Sequence, residues 1–93
     1  MILSIFEKLK KILTVSGYEI LGAENVRSTA LEVTDGFFSS SEITKSGSVV
    51  LYHKSKKENA KTLLIDAHID TIGLVVSEIC EDGFLRTAPV GGV

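Results

Sequence analysis

Thr62-Leu63-Leu64-Ile65-Asp66-Ala67-His68-Ile69-Asp70 is the stretch on which the reading of this chain turns. Leu63, Leu64, Ile65, Ala67 and Ile69 make a near-continuous apolar run, the pattern of a strand buried on both faces in the middle of a sheet. Asp66, His68 and Asp70 interrupt it at alternate positions. Strand side chains alternate, so these three are expected on one side, towards the C-terminal end of the strand.

Working outward, Ile72 to Cys80 reads as another strand, Glu81-Asp82-Gly83 as a hairpin turn and Phe84 to Ala88 as the return. Upstream, Phe37 to Thr44 and Val49 to His53 read as two strands joined around Lys45-Ser46-Gly47-Ser48. Ser39-Ser40-Ser41 makes the first an edge strand or an irregular lead-in. Lys54 to Lys61 is a polar connection expected to be solvated. Its four lysines carry no interleaved aromatic for base stacking, so nucleic acid is not an expected partner.

The first third has the period of helices. Ile2, Ile5, Phe6, Leu9, Ile12 and Leu13 share one face, predicting a core-packing helix over Met1 to Val15, with Ser4 and Glu7 as a capping box. The basic face of this segment also fits a membrane-surface helix, the lesser reading. Ser16 and Glu19 repeat the capping spacing, so a second helix is expected from Gly17-Tyr18. Ile20, Ala23, Val26 and Ala30 form its apolar stripe, and Thr34-Asp35-Gly36 its exit. Gly22 inside it costs about 1 kcal/mol relative to alanine.

Composition bounds the class. The chain has 93 residues, 44% hydrophobic and 24% charged, with a formal net charge of −2. That is one domain at most, with room for a modest core but little for a deep enclosed active site. No apolar run approaches the roughly 20 residues that span a bilayer. The single cysteine, Cys80, has no internal partner for a disulfide, so a reducing cytoplasm is the expected compartment. Cys80 closes an apolar strand and is expected to be buried as a small hydrophobe.

His68 and Asp70 form the chemical centre. A metal-binding histidine needs its second ring nitrogen held by an acceptor, commonly a carboxylate, and an H-x-D pair on one strand face places the two groups side by side. On spacing alone the plainer reading is a structural histidine satisfied by a nearby aspartate. Asp66 is either a third member of the cluster or a hydrogen-bonding partner of a neighbouring loop. His53 is expected to be exposed, and Gly73 to permit a bend after the central strand.

The surrounding residues extend the motif. Ala67-His68-Ile69-Asp70-Thr71-Ile72-Gly73-Leu74 resembles the first metal-binding motif of the glutamyl aminopeptidase and endoglucanase-like metallopeptidases, the family that includes the large tetrahedral aminopeptidases. Glu81 to Arg86 and Pro89-Val90-Gly91-Gly92 are similar to the family's next hairpin and its exit, and Val15 to Glu19 to the segment between its first two helices. Thr71 stands where the family commonly has glutamate, and Ser48 where an asparagine often follows the turn glycine. No proline precedes Val15-Ser16.

The resemblance implies part of a three-layer αβα zinc-exopeptidase fold, an α/β arrangement with two N-terminal helices and a mixed sheet. It implies a boundary as well: residues 1–71 belong to the catalytic domain, and residues 72–93 begin a β-rich accessory, dimerisation domain. In that family two divalent metals, usually zinc or cobalt, activate a water for attack on the N-terminal peptide bond. His68 is then a ligand of one metal and Asp70 the residue that orients it, while the other ligands and the catalytic glutamate lie downstream of the positions present. The expectation is an N-terminal portion of a metalloaminopeptidase that is catalytically incomplete alone, binds metal weakly and takes peptide substrates only if its site is completed. A homo-oligomer is expected, through sheet edges or exchange of the hairpin from Ile72 to Ala88. The alternatives are a binding or regulatory module that keeps the family framework, or one part of a split enzyme.

Overall fold

A computed structural model describes residues 1–92 of the chain. It contains two helices and two antiparallel hairpins, an α/β mixture: α1 (Ile2–Leu9), α2 (Glu19–Thr34), β1 (Ser40–Ile43), β2 (Val49–Tyr52), β3 (Gly73–Ile79) and β4 (Leu85–Val90). β1 pairs with β2, and β3 with β4, as two separate sheets.

The first helix is shorter than its apolar period. It begins at Ile2, before Ser4, whose hydroxyl donates to the Met1 carbonyl at 2.6 Å instead of capping the helix. It ends at Leu9, followed by the tightened bonds Lys11 N–H to Lys8 O and Ile12 N–H to Leu9 O. The chain then turns because Ile12 and Leu13 must pass against α2. A Cβ on Gly22 would overlap the Leu13 carbonyl and come within 2.7 Å of an Ile12 methyl. The close crossing of the two segments therefore requires the glycine that helix propensity disfavours.

α2 starts after Tyr18 with no side-chain cap, so the capping box at Ser16 does not form either. Its half-buried or buried face is Ala23, Val26, Ala30 and Val33, while Ile20 points largely to solvent. It ends where the sequence indicates: Asp35 adopts a left-handed conformation (φ 43°), and Gly36 follows.

The two hairpins share one turn chemistry. In the first, Thr44 N–H reaches Ser48 O and Gly47 N–H reaches Thr44 O; in the second, Cys80 N–H reaches Phe84 O and Gly83 N–H reaches Cys80 O. Gly47 and Gly83 both have positive φ, 88° and 87°. This is the three-residue loop closed by a left-handed glycine. β1 pairs in the register Ser40↔Tyr52 to Ile43↔Val49, with Phe37 to Ser39 as an irregular lead-in outside the strand. β3 and β4 pair from Gly73↔Val90 to Ile79↔Leu85, with an irregularity between Val76 and Glu78.

The expected central strand is absent among the described residues. Residues 61–70 form no ladder and are exposed throughout, and Leu63, Leu64 and Ile65 are 82–84% accessible. A strand buried on both faces needs partners on both edges and layers on both sides, and the described residues provide neither. Local sequence encodes an extended, apolar segment; ladder formation depends on neighbours. Among the described residues, the only backbone anchor near this stretch is a parallel bridge between Val15 and Thr71, made by Thr71 N–H to Thr14 O (2.9 Å) and Ser16 N–H to Thr71 O (3.2 Å).

The core is correspondingly slight, against the expectation of a modest one. Among the described residues Ala23 is the only buried hydrophobic side chain, with Thr14 buried beside the bridge. The apolar face of α1 is mostly open, with Ile2 and Phe6 exposed, so α1 is not the core-packing helix its period predicts. The accessible surface is 8004 Å², against about 5,200 Å² for a compact chain of this mass. The radius of gyration, 17.6 Å, compares with about 12 Å for a compact domain of this length. Cys80 is only half-buried. None of the helices is long and apolar enough to cross a membrane.

Candidate metal-ligand pair

His68 and Asp70 lie on the extended segment between the hairpins, just before the Val15–Thr71 bridge. The His68 Nδ1 atom is 3.1 Å from Asp70 Oδ1. An ionised carboxylate only accepts hydrogen bonds, so Nδ1 carries the hydrogen, and in the neutral imidazole Nε2 keeps its lone pair free. That is the tautomer a metal-ligating histidine requires, with the carboxylate fixing the ring. The His68 side chain is 87% accessible and Asp70 47%, so the pair stands open to solvent on one side. The expected juxtaposition thus forms through local backbone geometry, without the surrounding sheet.

The other side of the pair faces a cleft of about 340 Å³, lined by Glu19 at the start of α2, by Ser46 to Ser48 of the first hairpin turn, and by Asp66. The turn is held against the helix, for a Cβ on Gly47 would lie 3.0 Å from Ile20 N. Glu19 is a neighbour of this cleft that sequence separation conceals; its first-turn position on α2 was legible only as a capping residue. Asp66 lines the cleft but makes no hydrogen bond to His68 among the described residues. No group of three or more His, Cys, Asp or Glu residues among the described residues is arranged to hold a metal ion. The residues present therefore fit one ligand position with its orienting carboxylate and do not fit a whole metal site, which needs several protein ligands.

Behind the pair, Thr71, Ile72 and Gly73 lead into β3. A Cβ on Gly73 would come within 2.8 and 2.9 Å of the two methyl carbons of Val15. Gly73 thus permits close passage of β3 beside Val15, a contact more specific than the bend expected of it. His53 is exposed, as expected, but ordered: its ring stacks on Phe37 at 4.2 Å and 9°, and its Nδ1 lies 2.6 Å from the Phe37 carbonyl oxygen. It closes the open end of the first hairpin, far in role from a ligand.

Residues 47–93 match the family M42 glutamyl aminopeptidase, a span that includes the whole segment carrying His68, Asp70 and Gly73. The chain belongs to the M42 glutamyl aminopeptidase family. It is similar along nearly its whole length to a lysyl aminopeptidase of Pyrococcus furiosus, with 37% identity over 91 residues, 95% of this chain and 25% of that protein. It is also similar to a glutamyl aminopeptidase of Lactococcus lactis subsp. cremoris, with 31% identity over 93 residues, 97% of this chain and 25% of that protein. The chain spans about a quarter of the length of these curated M42 relatives. The likeness reaches both helices and the first hairpin, beyond the part matched by the M42 description.

Proposed function

We propose that this chain forms the N-terminal part of an M42 metal-dependent aminopeptidase acting on peptides, with His68 as a ligand of one metal and Asp70 as the residue that orients it. The observation that carries this reading is the His68 Nδ1–Asp70 Oδ1 contact, which leaves Nε2 free within the family-matched segment. The relatives are named aminopeptidases, and their shared chemistry is the removal of N-terminal residues. In this reading residues 1–71 belong to the catalytic domain of a three-layer zinc-exopeptidase fold, and residues 72–93 open the accessory domain; Val93 lies outside the described residues.

The chain alone does not catalyse in this reading. One histidine and one nearby carboxylate leave the ligand requirement of zinc or cobalt unmet, so no reaction step is assigned to these residues. The exposure of Leu63, Leu64 and Ile65 favours a segment that packs against further parts of the family fold over a self-sufficient binding module. The free, half-buried Cys80 is compatible with a reducing cytoplasm. Self-association is part of the proposal, since exposed strand edges and apolar surface seek cover.

The test is a metal-dependent assay on aminoacyl anilides with the pure chain, and then with a polypeptide that supplies the remaining family segments. Activity only after mixing, lost in His68→Ala, is the expected result. Activity of the pure chain, or activity indifferent to His68, overturns the reading.

A further inference from the structure

The His68–Asp70 pair stands at the end of a segment that forms no ladder, yet its two groups lie 3.1 Å apart. Two-residue spacing puts them within reach of each other and does nothing to hold them there. The His68 side chain is 87% accessible, so packing does not fix its ring, and an exposed ion pair adds little order of its own. The fixed member of the pair has to be Asp70. What fixes it lies one residue further on.

Both backbone groups of Thr71 are engaged by the linker between the helices. Its N–H donates to Thr14 O at 2.9 Å, and its C=O accepts from Ser16 N–H at 3.2 Å. A peptide unit is planar, so the first bond fixes the plane that begins at the Cα of Asp70 and the second fixes the plane that follows. Thr14, which supplies the first acceptor, is buried. Side chains close on the same junction from two directions. The Val15 methyls fill the space where a Cβ of residue 73 would stand, and a Cβ on Gly91 would come within 3.0 Å of an Ile72 methyl. Gly73 also pairs with Val90 in the second hairpin. The Asp70 carboxylate is thus two side-chain torsions away from a junction held by the linker on one side and by β4 on the other.

We propose that Val15, with the backbone of Thr14 and Ser16, is the positioning residue of the pair. By holding Thr71 and Gly73 it keeps the Asp70 carboxylate at His68 Nδ1, and so selects the neutral ring tautomer in which Nε2 carries no hydrogen. The inference rests on the function proposed above only in reading His68 as a ligand. The holding of the ring is a property of the metal-free chain, and it makes an imidazole distant in sequence depend on the linker between α1 and α2.

Nitrogen-15 spectra of the full metal-free chain, labelled at its two histidines and recorded at alkaline pH where imidazole is neutral, read the tautomer of each ring. His53, whose Nδ1 lies 2.6 Å from the Phe37 carbonyl oxygen on the first hairpin, is the internal reference. Ser16→Pro removes the N–H that holds Thr71 O and adds nothing at the crossing. The turn accepts it: Tyr18 N–H reaches Val15 O at 2.8 Å and Gly17 has φ 89°, a type II turn with Ser16 at the position that proline favours. In Ser16→Pro the share of the Nε2–H tautomer at His68 should at least double, with His53 unchanged. Gly73→Ala should act in the same direction by pushing β3 off Val15, and Val15→Ala added to it should restore the original tautomer. A His68 tautomer unchanged in Ser16→Pro overturns the inference, as does a Gly73→Ala effect that Val15→Ala fails to reverse. Either failure leaves the ligand role of His68 standing, because no metal enters the measurement; activity indifferent to His68 in the completed enzyme would remove that role and leave the positioning result intact.

Discussion

Val15 occupies the space in which a side chain at residue 73 would stand: a Cβ on Gly73 would meet both Val15 methyl carbons at 2.8 and 2.9 Å. The contact lies beside the Val15–Thr71 bridge, so the strand leaving the His68–Asp70 pair is tied to the linker between the helices by hydrogen bonds and by close packing.

Gly73→Ala should therefore destabilise this junction by about 1–3 kcal/mol, the ordinary cost of overpacking. Val15→Ala in the same chain should recover most of the loss by removing the opposing methyls. Urea denaturation of the four members of the double-mutant cycle measures the coupling. Additive effects of the two substitutions would show that the contact does not exist in solution.

Gly22→Ala sets helix propensity against packing. Propensity favours alanine by about 1 kcal/mol, but the new Cβ would overlap the Leu13 carbonyl, a backbone atom that cannot rotate away. A net loss of about 1–3 kcal/mol is expected, read as a lower denaturation midpoint in far-ultraviolet circular dichroism. A stabilised variant would mean that α1 and α2 do not cross as described.

The Tyr52 hydroxyl donates to Glu42 Oε1 at 2.6 Å across the first hairpin, and this bond pushes the phenol up from its ordinary value. A raised folded-state value gives a contribution that is complete below the unfolded tyrosine value near 10 and is lost as pH rises through the folded one. In a Tyr18→Phe background, where Tyr52 is the one tyrosine, phenolate absorbance should develop at lower pH after Glu42→Gln. An unchanged curve would remove the hydrogen bond from the account.

Zinc should bind the isolated chain weakly, because His68 Nε2 offers one ligand and the carboxylate of Asp70 is engaged with Nδ1. Calorimetry should show no tight one-to-one site. A tight site abolished by His68→Ala would mean that further residues, with Glu19 and Asp66 nearest the cleft, complete the coordination.

What the sequence determined by itself was local. The alternation and turn glycines at Gly47 and Gly83 specified both hairpins, because a left-handed turn residue and flanking β-formers act within a few positions. Asp35-Gly36 ended α2 for the same reason. The two-residue spacing of His68 and Asp70 brought their side chains together even without a sheet, and the motif around them identified the family. Tertiary structure alone decided the rest. The capping boxes at Ser4 and Ser16 did not form, because where a helix starts depends on what packs against its first turn. The apolar period of α1 ran to Leu13, yet the helix stopped at Leu9 where the chain had to cross Gly22. Leu63 to Ile65 carried the composition of a central strand and formed none, since a ladder is made by partner strands and burial by neighbouring layers, neither of which a nine-residue stretch encodes.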